Sequence, residues 1–302
     1  MTLFTRRETL TENMTYMAMM AAINVIFSLF AAWLPLGAVF VMIALPLTSA
    51  VIAIYCKPRY FPIYLVATIG VCLAATAWDI KNTLFYVVPS ICTGLVYGIL
   101  RRFKVPTSIL VFIVTGIQMA LAFASIYLIQ FFFNVNMIEF LETLLGLAKS
   151  PLMINVVPAA MFAYALGQSA LSHLFMTGEL SHLNQQEAEE GWIKWLYPAV
   201  TLLAAGLSFA SIFWMASVGY VIMITALYFA CWCGSTLFAP KAPIATYIVL
   251  GVLLLLSFGL FVGFYSRFNE GDGLILLNLP LVALALAALL NLLLAKPSTK
   301  VE

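Results

Sequence analysis

The chain has 302 residues, of which only 14 are Lys or Arg and 12 are Asp or Glu. Charged residues make up 9% of the sequence, whereas they make up about 25% of an ordinary soluble domain. The hydrophobic share is 64% and the mean hydropathy is +1.08, which is more apolar surface than one water-soluble core of this length can bury. These values exclude a soluble enzyme, a secreted disulfide scaffold and a disordered chain. The net charge of +2 also argues against a nucleic-acid-binding protein, which needs a concentrated basic surface.

Ten apolar segments predict an all-α, polytopic transmembrane helix bundle. A membrane span needs about 20 mostly apolar residues, because lipid offers no hydrogen-bond partner to an exposed peptide group. The run from Trp195 to Ala239 has 45 residues, so we divide it into two spans at Met215 to Val218; without that division there are nine spans. The ten predicted spans are 14–34, 37–56, 60–77, 84–100, 106–133, 151–176, 195–214, 219–239, 243–265 and 273–295.

The arrangement of Lys and Arg predicts which side of the membrane each loop faces. Short loops rich in these residues stay in the cytoplasm. With the N-terminus inside, the cytoplasmic segments hold eleven of these residues and the opposite side holds three, namely Lys81, Lys149 and Arg267. The sequence therefore predicts a multi-pass protein of the cell membrane with both termini in the cytoplasm.

A break in composition divides the predicted spans into two groups. Residues 177–194 include four of the twelve acidic residues, counted from Glu179 to Glu190, and are most simply a solvated cytoplasmic linker. The predicted domains are a six-helix membrane unit over 1–176, this linker over 177–194, and a four-helix membrane extension over 195–302. The two groups show no convincing sequence repeat, so the inverted-repeat architecture of many secondary transporters is not indicated.

The sequence lacks the residues that most enzymes and ion-coupled pumps need. Every Asp, Glu, Lys and Arg can be placed at a span end or in a loop, whereas ion pathways and proton relays keep charged groups inside the membrane. His173 and His182 have no second histidine at metal-ligand spacing, and the five cysteines lie in apolar runs with no disulfide or metal pattern. No zinc-protease motif, glycine-flanked serine or phosphate-binding loop is present. We therefore expect no enzyme activity, no cofactor and no metal, and a nucleotide site only in a partner.

Neutral polar and aromatic residues gather at the predicted outer side of spans three to six. Amides among apolar walls are typical of a pocket that orients a small solute. The alternative is that the aromatic residues belong to the interfacial belt and that the amides join neighbouring helices. The candidate substrate-binding residues are Trp78, Asp79, Lys81, Asn82, Gln118, Gln130 and Asn155.

A short amphipathic segment lies in the external loop between spans five and six. Ile138, Leu141 and Leu145 fall on one helical face, and Glu139 and Glu142 fall off it. This pattern predicts an interfacial helix, which is either a lid over the pocket or an inert surface helix.

Two pairs of small residues, spaced four apart, predict close approach of another helix. They are Ala18 and Ala22 in span one and Gly259 and Gly263 in span nine. Small side chains let helix backbones approach closely in lipid. The neighbouring helix is either part of this chain or part of a partner.

Several short motifs are spread over residues 7 to 176. They are Arg7, the pair Ala18 and Ala22, WLPLG at 33–37, IALPL at 43–47, KPR at 57–59, RRFK at 101–104, IEFLE at 138–142 and NVVPA at 155–159. In these motifs the chain resembles the substrate-binding S components of energy-coupling factor transporters. It resembles still more closely the YybS-like membrane family, which is thought to be related to them.

The resemblance implies a six-helix unit of a bacterial cell membrane that captures a vitamin or other micronutrient on the external side. It also implies that Ala18 and Ala22 dock a transmembrane coupling protein, which two cytoplasmic ATPases drive. Ordinary S components have no counterpart of the last four spans. In this chain these spans either occupy the docking face or form a membrane domain that pairs only with the six-helix unit.

The leading hypothesis is an S-component-like, non-enzymatic protein that binds a small solute from the external side for uptake, with energy supplied by partner ATPases. Its partners are then the solute, the coupling protein with its ATPases and the lipid bilayer, with no nucleic acid. The alternative is a membrane interaction or regulatory protein without a transported solute. A secondary transporter that acts alone ranks last, because charged coupling sites are missing.

Overall fold

The computed structural model describes residues 6–134, 151–179, 191–211, 214–238, 243–265 and 272–294. Short 3-10 turns lie at Pro58–Tyr60, Ala77–Asp79 and Asp272–Leu277. In this part of the chain the ten α-helices are α1 (Leu10–Trp33), α2 (Pro35–Tyr55), α3 (Phe61–Ala75), α4 (Ile80–Arg102), α5 (Thr107–Phe133), α6 (Pro151–Glu179), α7 (Ile193–Ser211), α8 (Ala216–Leu237), α9 (Ile244–Tyr265) and α10 (Asn278–Leu294).

The protein is an all-α, polytopic membrane protein, which confirms the predicted fold class. Eight helices of the described residues are long and apolar enough to cross a membrane. In addition, α2 contributes the shorter apolar helix Met42–Tyr55. The long run after Trp195 does form two helices. The turn before α8, at Trp214 and Met215, lies at the start of the predicted division at Met215 to Val218.

The helices form two compact units, each with its own core. The first unit contains the described residues within 1–145 and 164–188, and the second contains those within 146–163 and 189–302. The unit boundary therefore runs through α6. The predicted domain division at 177–194 falls mostly on residues outside the described ranges and stays a prediction.

The start of α1 is tied to the turn between α2 and α3. Thr9 caps the helix: its Oγ1 accepts the Glu12 amide at 3.2 Å, and the Glu12 carboxylate accepts the Thr9 amide. Two further bonds cross to the turn, from the Lys57 amide to Asn13 Oδ1 at 2.9 Å and from the Arg7 amide to the Tyr55 carbonyl at 2.9 Å. These contacts fix where α1 enters the first unit, since each satisfies a backbone group at a helix end.

Helix α4 is the centre of the first unit and approaches α2 closely at two glycines. A Cβ atom at Gly94 would lie 2.8 Å from Ser49 Cβ, and one at Gly98 would lie 2.6 Å from Ala53 Cβ. Neither position has room for a side chain, so glycine is needed for this backbone approach. Val87 and Ile91 on α4 join the apolar core shared with α1, α2 and α3.

The second unit is held together mainly by small residues on α7, α8 and α10. Ala204, Ala205, Ala226 and Ala230 pack with Leu281 in one buried cluster. Alanines at these positions let the helices lie close together without polar contacts.

Candidate functional site

A buried polar cluster joins α1, α2 and α3 in the middle of the first unit. Asn24 Nδ2 donates to Tyr64 Oη at 2.9 Å, and Thr48 Oγ1 donates to Asn24 Oδ1 at 2.5 Å. Ser49 Oγ lies 3.2 Å from Tyr64 Oη. All four side chains are buried. These side chains are hydrogen-bonded to one another, so the cluster is explained by its structural role of linking three helices.

A second set of polar groups joins α5, α6 and α2. Gln118 Nε2 on α5 donates to Gln168 Oε1 on α6 at 3.0 Å, and Gln168 Nε2 donates to the Met42 carbonyl on α2 at 3.1 Å. The Met42 carbonyl needs this outside donor, because the residue four positions later is Pro46, which has no amide hydrogen. The Gln168 side chain thus replaces a backbone hydrogen bond that the proline removes.

A small cavity lies beside this amide pair, between α2, α4, α5 and α6. Its volume is about 10 Å³, the free space that one water molecule needs. The polar groups around it are neutral amides and hydroxyls, and the rest of the wall is apolar. The lining residues are Pro46, Thr93, Val114, Gln118, Gln168, Ser169, Ser172 and Met176.

Ser172 is a lining residue with an unused hydrogen-bonding group. Its side chain is buried, and its Oγ has no partner among the described residues. A buried hydroxyl without a partner costs on the order of 1–3 kcal/mol. The cavity is therefore a place where an additional polar group would be favourable.

The residue that follows Ser172 on α6 is a buried histidine. Tyr97 Oη on α4 lies 2.9 Å from His173 Nδ1, and both side chains are buried. The sequence places His173 only near the end of a span, and the structure adds that it is packed against α4.

Of the predicted site residues, Gln118 lies at this cavity. It is buried, pairs with Gln168 and is one of the lining residues. Its depth differs from that of the other candidates, since it lies in the middle of α5 rather than at its end.

The remaining candidates lie elsewhere. Trp78, Lys81 and Gln130 are exposed, and Asp79 is half-buried. Lys81 Nζ lies 5.4 Å from the centre of the Phe133 ring, so the start of α4 does reach the end of α5.

Two other candidates cannot be joined to this group. Asn155 is half-buried and belongs to the second unit. The side chain of Asn82 lies outside the described part of the structure. A pocket formed by all seven predicted residues therefore stays a prediction.

The predicted partner-docking residues Ala18 and Ala22 are both exposed on α1. Gly259 and Gly263 on α9 are also exposed, and a Cβ atom at either would meet nothing within 4 Å among the described residues. The predicted lid at 138–145 and most of the acidic linker lie outside the described residues.

The cavity contains residues that the sequence reasoning missed, namely Gln168, Ser172 and Thr93. One available signal was spacing, because Gln168 and Ser172 are four residues apart and therefore share a face of α6. Another was Pro46, which implies an unpaired carbonyl at Met42.

The chain matches no known family model, no curated protein and no solved structure. Within the described residues, no three His, Cys, Asp or Glu side chains come together in a way that could hold a metal ion. The polar groups that line the cavity are the amides and hydroxyls described above.

Proposed function

We propose that the first unit binds a small, uncharged polar solute at the cavity between α2, α4, α5 and α6. The supporting observation is the unpartnered Ser172 hydroxyl beside the Gln118 and Gln168 amides, inside an apolar helix bundle. Neutral hydrogen-bonding groups in apolar walls suit a neutral solute, because a charged one would leave its charge without a counter-ion.

The size of the cavity sets a condition on this proposal. The space has room for about one water molecule, so a vitamin-sized solute requires the surrounding helices to separate. α2 can bend at Pro46, because the proline removes the backbone hydrogen bond to the Met42 carbonyl. The Gln168 side chain donates to this carbonyl instead.

The wider role that we propose is S-component-like capture from the external side of a bacterial cell membrane, with no enzymatic step. Energy would come from a transmembrane coupling protein and two ATPases. Ala18 and Ala22 are available for docking because they are exposed on α1. Both termini would then lie in the cytoplasm, as the Lys and Arg distribution predicts.

The test compares the cavity with the predicted outer residues. Protein purified from its native membrane is extracted, and copurifying small molecules are identified by mass spectrometry. We expect a bound solute in the natural protein and in the pair Gln130→Leu with Asn155→Leu, and its loss from the pair Gln118→Leu with Gln168→Leu. Ser172→Ala should weaken rebinding about tenfold, the value of one hydrogen bond of about 1.4 kcal/mol.

Other outcomes assign the function differently. Loss of the solute only from the Gln130 and Asn155 pair would move the site to the outer end. If affinity capture recovers unrelated regulators, and neither a solute nor the ATPases are found, the protein is an interaction or regulatory protein. Uptake into vesicles that contain no ATPase would indicate a transporter that acts alone.

A further inference from the structure

One face of α4 carries a line of buried hydroxyl groups that ends at the cavity. The residues are three or four positions apart, so at 3.6 residues per turn they share one side of the helix. They are almost fully buried, and they are Thr83, Tyr86, Ser90, Thr93 and Tyr97. We call this set the hydroxyl stripe.

The stripe runs along most of the helix. Thr83 lies near the Ile80 end, where its Oγ1 is 2.7 Å from Thr76 Oγ1 of the turn before α4. Thr93 lines the cavity. Thr83 and Thr93 are ten positions apart, or about 15 Å along the helix axis, so the stripe extends from the end of α4 to the cavity.

Ser90 is the member of the stripe that points to a ligand. It is completely buried, and its Oγ has no partner among the described residues. Thr93, one turn further, donates to the Pro89 carbonyl at 2.8 Å and so keeps its acceptor capacity free. Ser172 in the cavity, and Tyr86 and Thr68 elsewhere in the first unit, also have hydroxyls without a partner among the described residues.

A buried hydroxyl in a membrane protein can form a hydrogen bond with water only if water enters the protein interior. Of the five hydroxyls on this face of α4, those of Tyr86 and Ser90 have no hydrogen-bond partner among the described residues. Ser28 on α1 is also completely buried, but its hydroxyl has a partner, because it donates to the Asn24 carbonyl at 2.8 Å.

We infer that the hydroxyl stripe is a hydrated route by which small uncharged polar molecules pass from the Ile80 end of α4 to the cavity. The ligand of the stripe is water, and a neutral solute replaces that water as it enters. The cavity has no charged lining residue, so ions are excluded by their desolvation cost. This inference rests on the proposed solute site, of which the stripe is the access path.

The experiment measures whether water reaches the stripe, with water itself as the probe. The full chain is labelled with ¹³C-serine, reconstituted in lipid bilayers and studied by water-edited solid-state NMR. Ser28→Ala, Ser90→Ala and Ser172→Ala variants each remove one signal and so assign it. We expect the Ser90 and Ser172 signals to gain intensity at short mixing times and the Ser28 signal to gain none.

The outcomes distinguish a failure of the hydrated route from a failure of the proposed solute binding. Hydration of Ser172 without Ser90 would overturn the route, because water would then be confined to the cavity. Two dry serines would also overturn it, even if a solute copurifies. Hydration of both serines with no solute in any preparation would support the route and reject the proposed solute binding.

Discussion

Helices α4 and α9 show two ways in which a helix can be stable in a membrane. The spanning part of α4 has a mean hydropathy of 1.7 and is 61% buried by its neighbours, whereas that of α9 has a mean hydropathy of 2.5 and is 6% buried. On α4, buried hydroxyls and the glycines Gly94 and Gly98 pack against neighbouring helices, whereas most apolar side chains of α9 are exposed and can be covered by lipid.

This contrast teaches that hydropathy identifies a span but does not locate it in the bundle. α10 has the same mean hydropathy as α9 and is 50% buried. The difference between these two lies in residue size, since α10 buries a row of alanines that includes Ala283 and Ala287. The burial of a helix in this protein therefore does not follow from its mean hydropathy.

The largest effect should come from placing a charge on the lipid face of α9. Leu255 is in the middle of this helix and is 74% exposed. Leu255→Arg should reduce membrane insertion by about 2.5–3.5 kcal/mol, measured by a glycosylation-based insertion assay. Leu255→Ala is the matched control and should insert almost normally. Normal insertion of the arginine variant would mean that this face borders water.

The second prediction compares a glycine of α4 with one of α9. Gly94→Ala should lower the free energy of unfolding by about 1–3 kcal/mol, because its methyl group would overlap α2. Gly259→Ala should change it by less than about 0.5 kcal/mol, since its surroundings are open. Both are measured by thermal unfolding in detergent or lipid nanodiscs. Equal losses in the two variants would show that α9 is packed against a partner.

The third prediction concerns the amide pair beside α4. Gln118→Leu and Gln168→Leu should be coupled in a double-mutant cycle by about 0.6–1.7 kcal/mol, the range found for hydrogen bonds between membrane helices. The measurement is the unfolding free energy of both single variants and the double variant. Additivity of the two glutamines would contradict the bond between them.

The smallest effect on stability should come from Ser172→Ala. Its hydroxyl has no partner among the described residues, so its removal should leave the melting temperature unchanged or slightly raised. Ser208→Ala is the contrasting variant, because Ser208 donates to the Gly219 carbonyl at 2.9 Å and accepts from Asn278. It should lower the melting temperature. A clear loss of stability in Ser172→Ala would show that its hydroxyl already has a partner.

The helices could be predicted from the sequence because spanning length and apolarity are local properties. α5 was expected at 106–133 and runs over Thr107–Phe133. The division of the run from Trp195 to Ala239 was expected at Met215 to Val218 and lies at the turn of Trp214 and Met215, which an apolar region marks only weakly in the sequence.

The site could be predicted only in part, because its contacts are remote in sequence. Gln118 was a candidate, but its partner Gln168 is 50 residues away, and Gln168 bonds to a carbonyl 126 residues away. Gln130 lies on the same helix as Gln118 and is exposed. A helix that is apolar all round gives no sign of which glutamine faces the bundle.

The most direct test of the account is a structure of the full chain in lipid nanodiscs at a resolution that shows ordered water. We predict non-protein density in the cavity, within hydrogen-bond distance of Ser172 Oγ and the Gln118 side chain. If water is resolved elsewhere in the protein while this space is empty or filled by an apolar side chain, the first unit has no polar site at this position.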